Sequence, residues 1–535
     1  MKHNHLSKLT VLSACIFSPT IVILANNSHV EKNSNLHKKQ RPNIIYIMGD
    51  DLTSQAISAY GGILSKVFQT PNMDRIAKEG AKLTNCFVTN SISTPSRAAI
   101  MTGQYSQVNG VYTLRDKLDT RLPTFATHLN DSGYYTGIIG KWHLKTEPQG
   151  FDYYSVLPGQ GRYNNPEFIS KGEWVENPDA SMRHGKVNKG YCTDIIGDKA
   201  INFMKNRDKN KPFMLMCHFK APHRNWIYAP RFEHMFDGIK MPEPFNLCDK
   251  YETKREAINR LTLKMNNFNA PSDLRIPKPE NMTRDEEFHW AYQPYIKNYL
   301  RCVAGVDENV GRILKYLDDN HLTKNTIVVI TGDQGFFLGE HGFFDKRLMY
   351  EEALHMPLLI RYPKEIKAGT INSDITLNID FAPTFMDYAG LKRPTEMQGV
   401  SFRENLVGKT PKDWRKAMYY RYWLNLGDEH DVTAHYGIRT KNYKLIYFYG
   451  LPLGKSGAVS RPYSPDWELY DLKNDPHEMN NIYDDPKNKE LIKDLKEQLL
   501  RLKGKYYDMD TAYPEMMKID KTYFWDKDEN PYNKK

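Results

Sequence analysis

The sequence predicts an α/β protein with a mostly parallel central sheet that is flanked by helices, plus a smaller C-terminal α+β subdomain with an antiparallel sheet. Short, continuously apolar runs alternate with helical patterns along most of the chain. Such runs are typical of strands that are buried on both faces of a parallel sheet. A chain of 535 residues is also long enough for two domains.

The elements of the main sheet follow one another in a regular order. The first strand is predicted at residues 43–48, and Thr70 with Pro71 then begins a helix that Gly80 ends. A longer helix is predicted at residues 299–317, where apolar side chains recur every three or four positions. Further strands are predicted at residues 134–139, 213–219, 326–330 and 357–361.

The C-terminal region, which begins between residues 400 and 425, has a different pattern. Residues 436–440 and 443–449 are predicted to form a hairpin, and residues 467–472 a further strand. A lysine-rich amphipathic helix is expected at residues 488–506. The last segment, from Asp508, is rich in Tyr, Asp and Lys, and its role cannot be read from the sequence.

The N-terminus has the pattern of an export signal. Lys2 and Lys8 precede an apolar stretch at residues 9–25, and polar residues follow. A lipoprotein box ending at Cys15 is the alternative, which the apolar residues beyond Cys15 disfavour. We therefore expect a protein exported to the periplasm or cell envelope, with no later membrane span.

Charge and cysteine content narrow the class of function. The chain has 74 basic and 64 acidic residues, a formal net charge of +10, without a nucleic-acid-binding signature. We expect no nucleic-acid partner, and an anionic substrate fits the charge better. The cysteines beyond the signal are scattered, so neither a disulfide framework nor a zinc site is expected.

Polar residues follow several predicted strands at the point where each strand ends. Asp50 and Asp51 follow the first strand, and Asp333 and Gln334 follow the strand at 326–330. Alone, each acidic pair is best interpreted as a helix cap or turn. Because the carboxyl ends of parallel strands share one edge of the sheet, together they predict an all-oxygen Ca²⁺ or Mg²⁺ site.

Basic residues occur at the same strand ends. Lys141 and His143 follow the strand at 134–139, and His223 follows the strand at 213–219. Lys346 comes shortly after the second acidic pair. Such side chains on loops are usually solvated, and only their shared position at one sheet edge suggests a site.

The turn SISTPSRAAIMTGQY at residues 91–105 allows two interpretations. Ser96 is a good N-cap for a helix that begins with Arg97. The alternative is a reactive side chain held at a helix N-terminus, where free N–H groups favour an anion. The stretch alone does not decide between them.

These residues carry a family resemblance. Ser93-Thr94-Pro95-Ser96-Arg97, followed by Thr102-Gly103, resembles the signature of the type I sulfatases, in which the first residue is oxidised to formylglycine. The resemblance runs from about residue 42 to about residue 481. It also covers GKWHL at 140–144, APH at 221–223, GDQG at 332–335, DFAPT at 380–384 and ELYDL at 468–472.

The resemblance implies the fold, the cofactors and the partners. The fold is alkaline-phosphatase-like, with a signal peptide at 1–25, a sulfatase catalytic domain at 40–410, a C-terminal subdomain at 411–510 and an extension at 511–535. One Ca²⁺ ion is bound, and a sulfated glycan is the substrate. A serine at position 93 resembles the subtype that an anaerobic-type maturation enzyme converts to formylglycine.

The resemblance also implies roles for single residues. The Ca²⁺ ligands are Asp50, Asp51, Asp333, Gln334 and the modified Ser93. Arg97 and Lys141 hold the formylglycine hydrate, His143 takes its second proton, His223 assists the leaving sugar oxygen and Lys346 neutralises sulfate charge. Gln334 departs from the pattern, because many relatives have Asn or His there.

The substrate expected from the resemblance is 6-O-sulfated N-acetylglucosamine of heparan- or mucin-type glycans, attacked from the chain end. Lys141, His223 and Lys346 are the expected substrate contacts, and Arg162 and Asn165 lie in an amide- and aromatic-rich loop suited to sugars, or to a simple polar turn. Galactose-6-sulfate or a 2-O-sulfated uronate remain alternatives. A phosphodiesterase and a non-catalytic sulfated-glycan-binding protein are the rivals from other classes.

Overall fold

A mixed sheet of eleven strands forms the centre of the main part of the molecule. The computed structural model describes residues 41–175, 184–428 and 430–525, and the predicted signal peptide lies outside them. The strands of this sheet in the described part are β1 (Asn43–Gly49), β2 (Ala81–Phe87), β3 (Tyr135–Lys141), β4 (Tyr153–Leu157), β5 (Glu167–Ser170), β6 (Lys186–Val187), β7 (Phe213–Phe219), β8 (Thr326–Gly332), β11 (His355–Arg361), β12 (Thr370–Asn372) and β13 (Thr376–Leu377). The short strands β9 (Phe337–Leu338) and β10 (Phe344–Asp345) pair separately.

Strand β1 lies in the middle of the sheet and is parallel to both of its neighbours, β7 and β8. Strand β3 is parallel to β7 and β4. Alternate residues of β1 face two separate hydrophobic clusters, Ile44 and Tyr46 on one side and Ile45 and Ile47 on the other. The sheet is therefore covered on both faces, which is why its central strands are apolar throughout.

One predicted strand runs antiparallel to its neighbours in the sheet. Strand β11, expected from residues 357–361 as part of a mostly parallel sheet, runs antiparallel to β8 and β2. Its sequence is as apolar as that of its neighbours, and burial on both faces gives the same composition in either direction. The sheet is thus mostly parallel but mixed.

Helices pack on both faces of the sheet and on its edges. The helix predicted to begin at Pro71 is confirmed, and the one predicted at 299–317 extends over Arg284–Asp319, with a capping box at Thr283 and Glu286. The α-helices of the described part are α1 (Pro71–Glu79), α2 (Ser93–Thr102), α3 (Ser106–Asn109), α4 (Phe125–Asp131), α5 (Cys192–Asn206), α6 (Glu256–Asn259), α7 (Arg284–Asp319), α8 (Glu351–Leu354), α9 (Phe381–Tyr388), α10 (Arg403–Leu406), α11 (Lys489–Lys505) and α12 (Pro514–Tyr523).

A second, antiparallel sheet forms the C-terminal region. Its strands, in sequential order across the sheet, are β14 (Ala417–Tyr422), β15 (His435–Thr440), β16 (Tyr443–Phe448) and β17 (Asp466–Asp471). The predicted hairpin, third strand and helix are confirmed, the helix being α11. The segment beyond Asp508 contains α12, which joins this sheet because Trp467 Nε1 donates to the Tyr523 carbonyl at 3.0 Å.

The described residues from Arg41 onward belong to one compact unit, so the proposed domain boundaries stay a prediction. Among the described residues no helix is both long and apolar enough to cross a membrane. The five cysteines of this part are free, and Cys217 is buried in β7, as expected for a core residue.

Candidate active site

The register of the central strands brings three distant chain segments to one edge of the sheet. Gly49 of β1 pairs with Phe219 of β7 and with Gly332 of β8, so these strands end at the same level. Asp50 and Asp51 therefore emerge beside Asp333. Carboxylate oxygens of these three buried residues lie within 4.8 Å of one another, which is the acidic cluster that the strand ends predicted.

Three buried cations surround the acidic cluster. Arg97 Nη2 lies 2.9 Å from Asp50 Oδ1, and Arg97 Nε donates to Asp333 Oδ2 at 3.2 Å. Lys141 Nζ donates to Asp50 Oδ2, and Lys346 Nζ donates to Asp51 Oδ1 at 2.6 Å. The cations come from α2, from the end of β3 and from the segment after β10, so distant parts of the chain jointly neutralise the cluster.

These charges shift the pKa values of the carboxyl groups in opposite directions. Burial raises the pKa of Asp51 to about 7, with Lys346 opposing this and the neighbouring carboxylates of Asp50 and Asp333 adding to it. Burial would also raise the pKa of Asp50, but the charges of Lys141 and Arg97 outweigh it and hold that pKa well below its usual value. Crowded like charges of this kind favour a bound cation.

Whether the acidic cluster fits a metal ion depends on the hydrogen bonds of the Gln334 side-chain amide. Its Nε2 donates to Asp51 Oδ1 at 2.5 Å and to Asp333 Oδ1 at 2.8 Å. Its buried Oε1 has no hydrogen-bond partner among the described residues. Rotation of the amide would exchange the two atoms and bring that oxygen to the carboxylates. Three carboxylates and one amide oxygen are a donor set that fits Ca²⁺.

Ser93 is the first residue of α2 and lies at the buried helix N-terminus. It is 2% exposed, and the N-cap is Ile92, which has no side-chain cap. The interpretation of Ser96 as the N-cap is therefore wrong. Ser96 Oγ donates instead to the Asp333 carbonyl, which ties α2 to the end of β8. An uncapped N-terminus leaves N–H groups and the positive end of the helix dipole for an anion.

The two predicted histidines lie close to these charges. His223 Nε2 is 3.8 Å from Asp51 Oδ2, and its Nδ1 is 2.8 Å from the Arg224 carbonyl. His143 is buried, and its Nδ1 has no hydrogen-bond partner among the described residues. Burial, and after it the charge of Lys141, lowers the pKa of both imidazoles well below the usual value. Both shifts favour the neutral form of the imidazole.

Two further groups at the site were not predicted from the sequence. Gln160 Oε1 accepts from Lys141 Nζ at 2.6 Å, and the Gln160 carbonyl accepts from Lys220 Nζ at 3.1 Å. Lys220 follows β7 directly, so the strand-end rule that located His223 could have located it. Gln160 comes from a loop whose position depends on long-range packing.

Next to Lys346 lies a cluster that the sequence analysis also missed. Asp345 is 3.8 Å from both Lys346 Nζ and Arg347 Nε, and His430 Nε2 is 3.6 Å from Asp345 Oδ2. Arg347 Nε has no hydrogen-bond partner among the described residues. The motif around Lys346 pointed to this segment, but His430 lies 85 residues further on and carries no local signal.

No contact observed among the described residues connects Arg162 or Asn165, the loop residues predicted to contact sugar, with the acidic cluster. Arg162 is largely exposed and faces Glu167 Oε2 at 3.7 Å. Asn165 is exposed, and its Oδ1 accepts from the Gly190 amide at 3.0 Å. The same loop reaches the site through Tyr163, whose hydroxyl donates to the His223 carbonyl at 2.5 Å. The substrate contacts of Arg162 and Asn165 stay predictions.

Comparison with protein families gives two matches that together span most of the chain. A family model described as "Sulfatase" matches residues 42–391. A second, described as "N-sulphoglucosamine sulphohydrolase, C-terminal", matches residues 339–505. The matches include every residue of the acidic cluster and its three cations.

Individual proteins are similar over nearly the full described length. An N-acetylglucosamine-6-O-sulfatase of Bacteroides thetaiotaomicron is 44% identical over 523 residues, with 89% of each chain covered. A solved structure, described as a complex with its substrate D-glucosamine-2-N,6-O-disulfate, is 43% identical with a TM-score of 0.80, covering 89% of this chain and 100% of that one. A phosphonate monoester hydrolase of Agrobacterium radiobacter, 21% identical with a TM-score of 0.67 over 87% of this chain and 96% of its own, shares the fold alone. The alkaline-phosphatase-like fold is confirmed.

Proposed function

This chain belongs to the sulfatase family of sulfuric ester hydrolases, and we propose that it releases the 6-O-sulfate of N-acetylglucosamine at the ends of glycans. The observation that carries the proposal is the buried cluster of Asp50, Asp51 and Asp333, with Arg97, Lys141 and Lys346 around it and Ser93 at the start of the helix that contains Arg97. Such a site holds one cation and one small anion together.

In this proposal one Ca²⁺ ion is held by the carboxylates of Asp50, Asp51 and Asp333, by Gln334 and by the modified Ser93. When bound, the ion draws electron density from a sulfate oxygen and orients the nucleophile. Lys346 already donates to Asp51, whereas Lys141 donates to Asp50. We assign it to the sulfate charge, where its fixed ammonium requires no reorganisation.

Ser93 is proposed to be oxidised to formylglycine by an anaerobic-type maturation enzyme. A serine hydroxyl is a weak nucleophile without a base, whereas the hydrated aldehyde offers two hydroxyl groups on one carbon. The N-terminus of α2 points its free N–H groups at this position, and Arg97 is fixed there by Asp50 and Asp333. Both features stabilise negative charge on the attacking group.

In this proposal the two histidines take part in different proton transfers. We assign His143, whose Nδ1 is unpaired among the described residues, to the removal of the proton whose loss lets sulfate depart from the modified side chain. We assign His223, 3.8 Å from Asp51, to the oxygen of the leaving sugar, which needs a hydrogen bond or a proton near neutral pH. Because its Nδ1 faces the Arg224 carbonyl, this role requires a proton on Nε2 as well, and the negative charge of a bound sulfate ester favours that imidazolium form.

The choice of sugar is supported by the relatives named above and by the charged groups beside Lys346. Asp345, Arg347 and His430 form a buried polar cluster next to the proposed sulfate position. Buried groups that pair with sugar hydroxyls reject the wrong sugar because they would be left unpaired. Galactose-6-sulfate and 2-O-sulfated uronate are the alternatives within this proposal.

A panel of monosaccharides sulfated at positions 2, 3, 4 or 6 tests the substrate. Matured protein with calcium should release sulfate from N-acetylglucosamine-6-sulfate fastest. Turnover of another member alone would refute the sugar and retain the sulfatase. Faster hydrolysis of a phosphate ester than of the matching sulfate ester would favour a phosphodiesterase, and binding without turnover would indicate a non-catalytic glycan-binding protein.

The N-terminal sequence supports export of this enzyme to the periplasm or cell envelope. Mass spectrometry of the mature N-terminus tests this. Cleavage near residue 25 is expected, whereas an acylated Cys15 would indicate a lipoprotein and an intact N-terminus would refute export.

A further inference from the structure

The loop after β4 contacts two lysines that follow different strands of the central sheet. Lys141 is the last residue of β3 and pairs with Leu157, the last residue of β4, so the loop begins beside Lys141. Strand β7 lies on the other side of β3, and Lys220 follows it directly. Gln160 of the loop accepts from both lysines, through Oε1 from Lys141 at 2.6 Å and through its carbonyl from Lys220 at 3.1 Å. The loop therefore crosses the end of β3 and is held on both sides of it.

Lys220 is a buried basic residue that the proposed mechanism does not use. It is 5% exposed, and among the described residues its ammonium group makes no ion pair and one hydrogen bond, the one to the Gln160 carbonyl. Burial lowers the pKa of Lys220, and the charge of Asp50 opposes this shift. A buried ammonium group without a carboxylate partner costs stability, and an apolar side chain would fill the same space without that cost. Packing alone therefore does not explain a lysine at this position.

A second contact fixes Lys220 against the same loop. Its Nζ lies 4.9 Å from the centre of the Tyr163 ring, within the range of a cation–π interaction. Tyr163 is itself anchored, because its hydroxyl donates to the His223 carbonyl at 2.5 Å and its carbonyl accepts from the Cys192 amide at 2.7 Å. The ammonium group of Lys220 is thus held over a fixed ring while it donates to Gln160.

The side chain of Gln160 gives Lys141 an uncharged acceptor. An ammonium group only donates hydrogen bonds, so the amide oxygen of Gln160 is the atom that faces it. The other acceptor of Lys141 is Asp50 Oδ2, which belongs to the acidic cluster. If Gln160 moved away, Asp50 alone would hold the ammonium group and draw it toward the carboxylates. The position of Gln160 therefore determines where the charge of Lys141 lies.

We propose that Lys220 is a positioning residue for Lys141. It holds the carbonyl of Gln160, and thereby the loop after β4, in the place where Gln160 Oε1 fixes the Lys141 ammonium group. The inference rests on the proposed function, in which Lys141 holds the formylglycine hydrate. Lys220 acts on the reaction through Gln160 and contacts neither the substrate nor the modified Ser93.

Lys220→Met tests the role, since it removes the donor and the charge and keeps an unbranched side chain. With a nitrophenyl sulfate, kcat per formylglycine should fall about tenfold, the ratio expected for one charge-assisted hydrogen bond. The melting temperature should be no lower than that of the parent, because a buried charge without a carboxylate partner has gone. Lys220→Arg, which retains a donor and the charge, should recover most of kcat. Lys211→Met, at an exposed position two residues before β7, is the control and should have no effect.

A double-mutant cycle tests whether Lys220 acts through Gln160. Gln160→Ala keeps the backbone carbonyl but removes the side chain, and should itself lower kcat about tenfold. The two changes together should also cost about tenfold rather than about a hundredfold, because the second has nothing left to position. A full further loss on adding Lys220→Met would show that Lys220 acts independently of Gln160 and would overturn the inference.

Two other results would also overturn it. One is an unaltered kcat in Lys220→Met, and the other is failure of that variant to fold, which would assign Lys220 to packing. Failure of the proposed function has a different signature, because the matured parent protein itself would then turn over no sulfate ester.

Discussion

Two regions of the molecule contain dense buried charge, and they differ in how like charges are arranged. At the active site three carboxylates crowd within 4.8 Å. At the seam between α8 and the C-terminal sheet, charges alternate. Lys444 lies 2.7 Å from Glu478 and 2.9 Å from Glu351, and Arg439 lies 2.9 Å from Glu351.

The difference indicates what each region is built for. Alternating buried pairs satisfy one another, so removal of a single partner leaves an uncompensated charge and destabilises the fold. The crowded carboxylates repel one another although cations surround them, and a bound metal ion would relieve that repulsion, so we expect removal of one carboxylate to cost more activity than stability. The following predictions test this distinction, from the largest expected effect to the smallest.

Ser93→Ala should abolish sulfatase activity, with a loss of at least about a hundred-thousandfold, because it removes the hydroxyl group that is oxidised to the aldehyde. The melting temperature should stay close to that of the parent protein. In the parent, made with an anaerobic maturation system, the peptide containing Ser93 should be two hydrogens lighter than its gene-encoded mass. Full activity with an unmodified serine would contradict the mechanism.

Asp333→Ala should lower kcat/KM by at least about a thousandfold, or about 4 kcal/mol of transition-state stabilisation, because the metal loses a charged ligand. Bound calcium, measured by elemental analysis, should be lost. In calcium-free buffer the stability of the variant should change little, because loss of the repulsion from Asp50 and Asp51 offsets loss of the ion pair with Arg97. Asp413→Ala, at an exposed position, is the control, and calcium retained in Asp333→Ala would show that the ligand assignment is wrong.

Lys444→Met should lower stability and leave activity unchanged, the reverse of the effect expected for Asp333→Ala. Glu478 and Lys444 are both fully buried, so loss of the lysine should lower the free energy of unfolding by about 3 kcal/mol. Urea unfolding measures this change, and kcat below the unfolding transition should be unaltered. Lys441→Met, at an exposed position in the hairpin turn, should have no effect. A large loss of kcat with normal stability would remove the contrast between the two regions.

His430→Ala should have the smallest effect and one specific to the sugar. If the cluster of Asp345, Arg347 and His430 contacts sugar hydroxyls, kcat/KM for N-acetylglucosamine-6-sulfate should fall about tenfold, the cost of one hydrogen bond to a buried group. Hydrolysis of a nitrophenyl sulfate should be unchanged. His234→Ala, 82% exposed, is the control. Equal losses on both substrates would assign His430 to the chemistry rather than to recognition.

Much of the site was predictable because it lies at strand ends. The apolar runs that became β1, β3, β7 and β8 located Asp50, Asp51, Lys141, His143, His223, Asp333 and Gln334. Strand composition depends on burial, and burial is visible in the local sequence. The residues at the end of a parallel strand then share an edge whatever the order of the strands, so the cluster followed without knowledge of the pairing.

The predictions failed where the outcome depended on long-range packing. Ser96 has the chemistry of an N-cap, yet its hydroxyl donates a hydrogen bond to the backbone carbonyl of Asp333, 237 residues away, and α2 begins at Ser93. Arg162 and Asn165 have suitable side chains for sugar, but Gln160 of the same loop contacts Lys141. Local propensity cannot rank neighbours within a loop, since the loop's path is set by the elements it packs against.

The sequence by itself therefore determined the family, the α/β class, the carboxylates and cations of the site, and the serine that is the proposed catalytic residue. Only the tertiary structure decided the antiparallel direction of β11 and the approach of Gln160 and His430 to the site. The spacing of apolar side chains and the burial of a strand can be inferred from the local sequence. Strand direction and loop position, in contrast, depend on contacts between residues far apart in the chain.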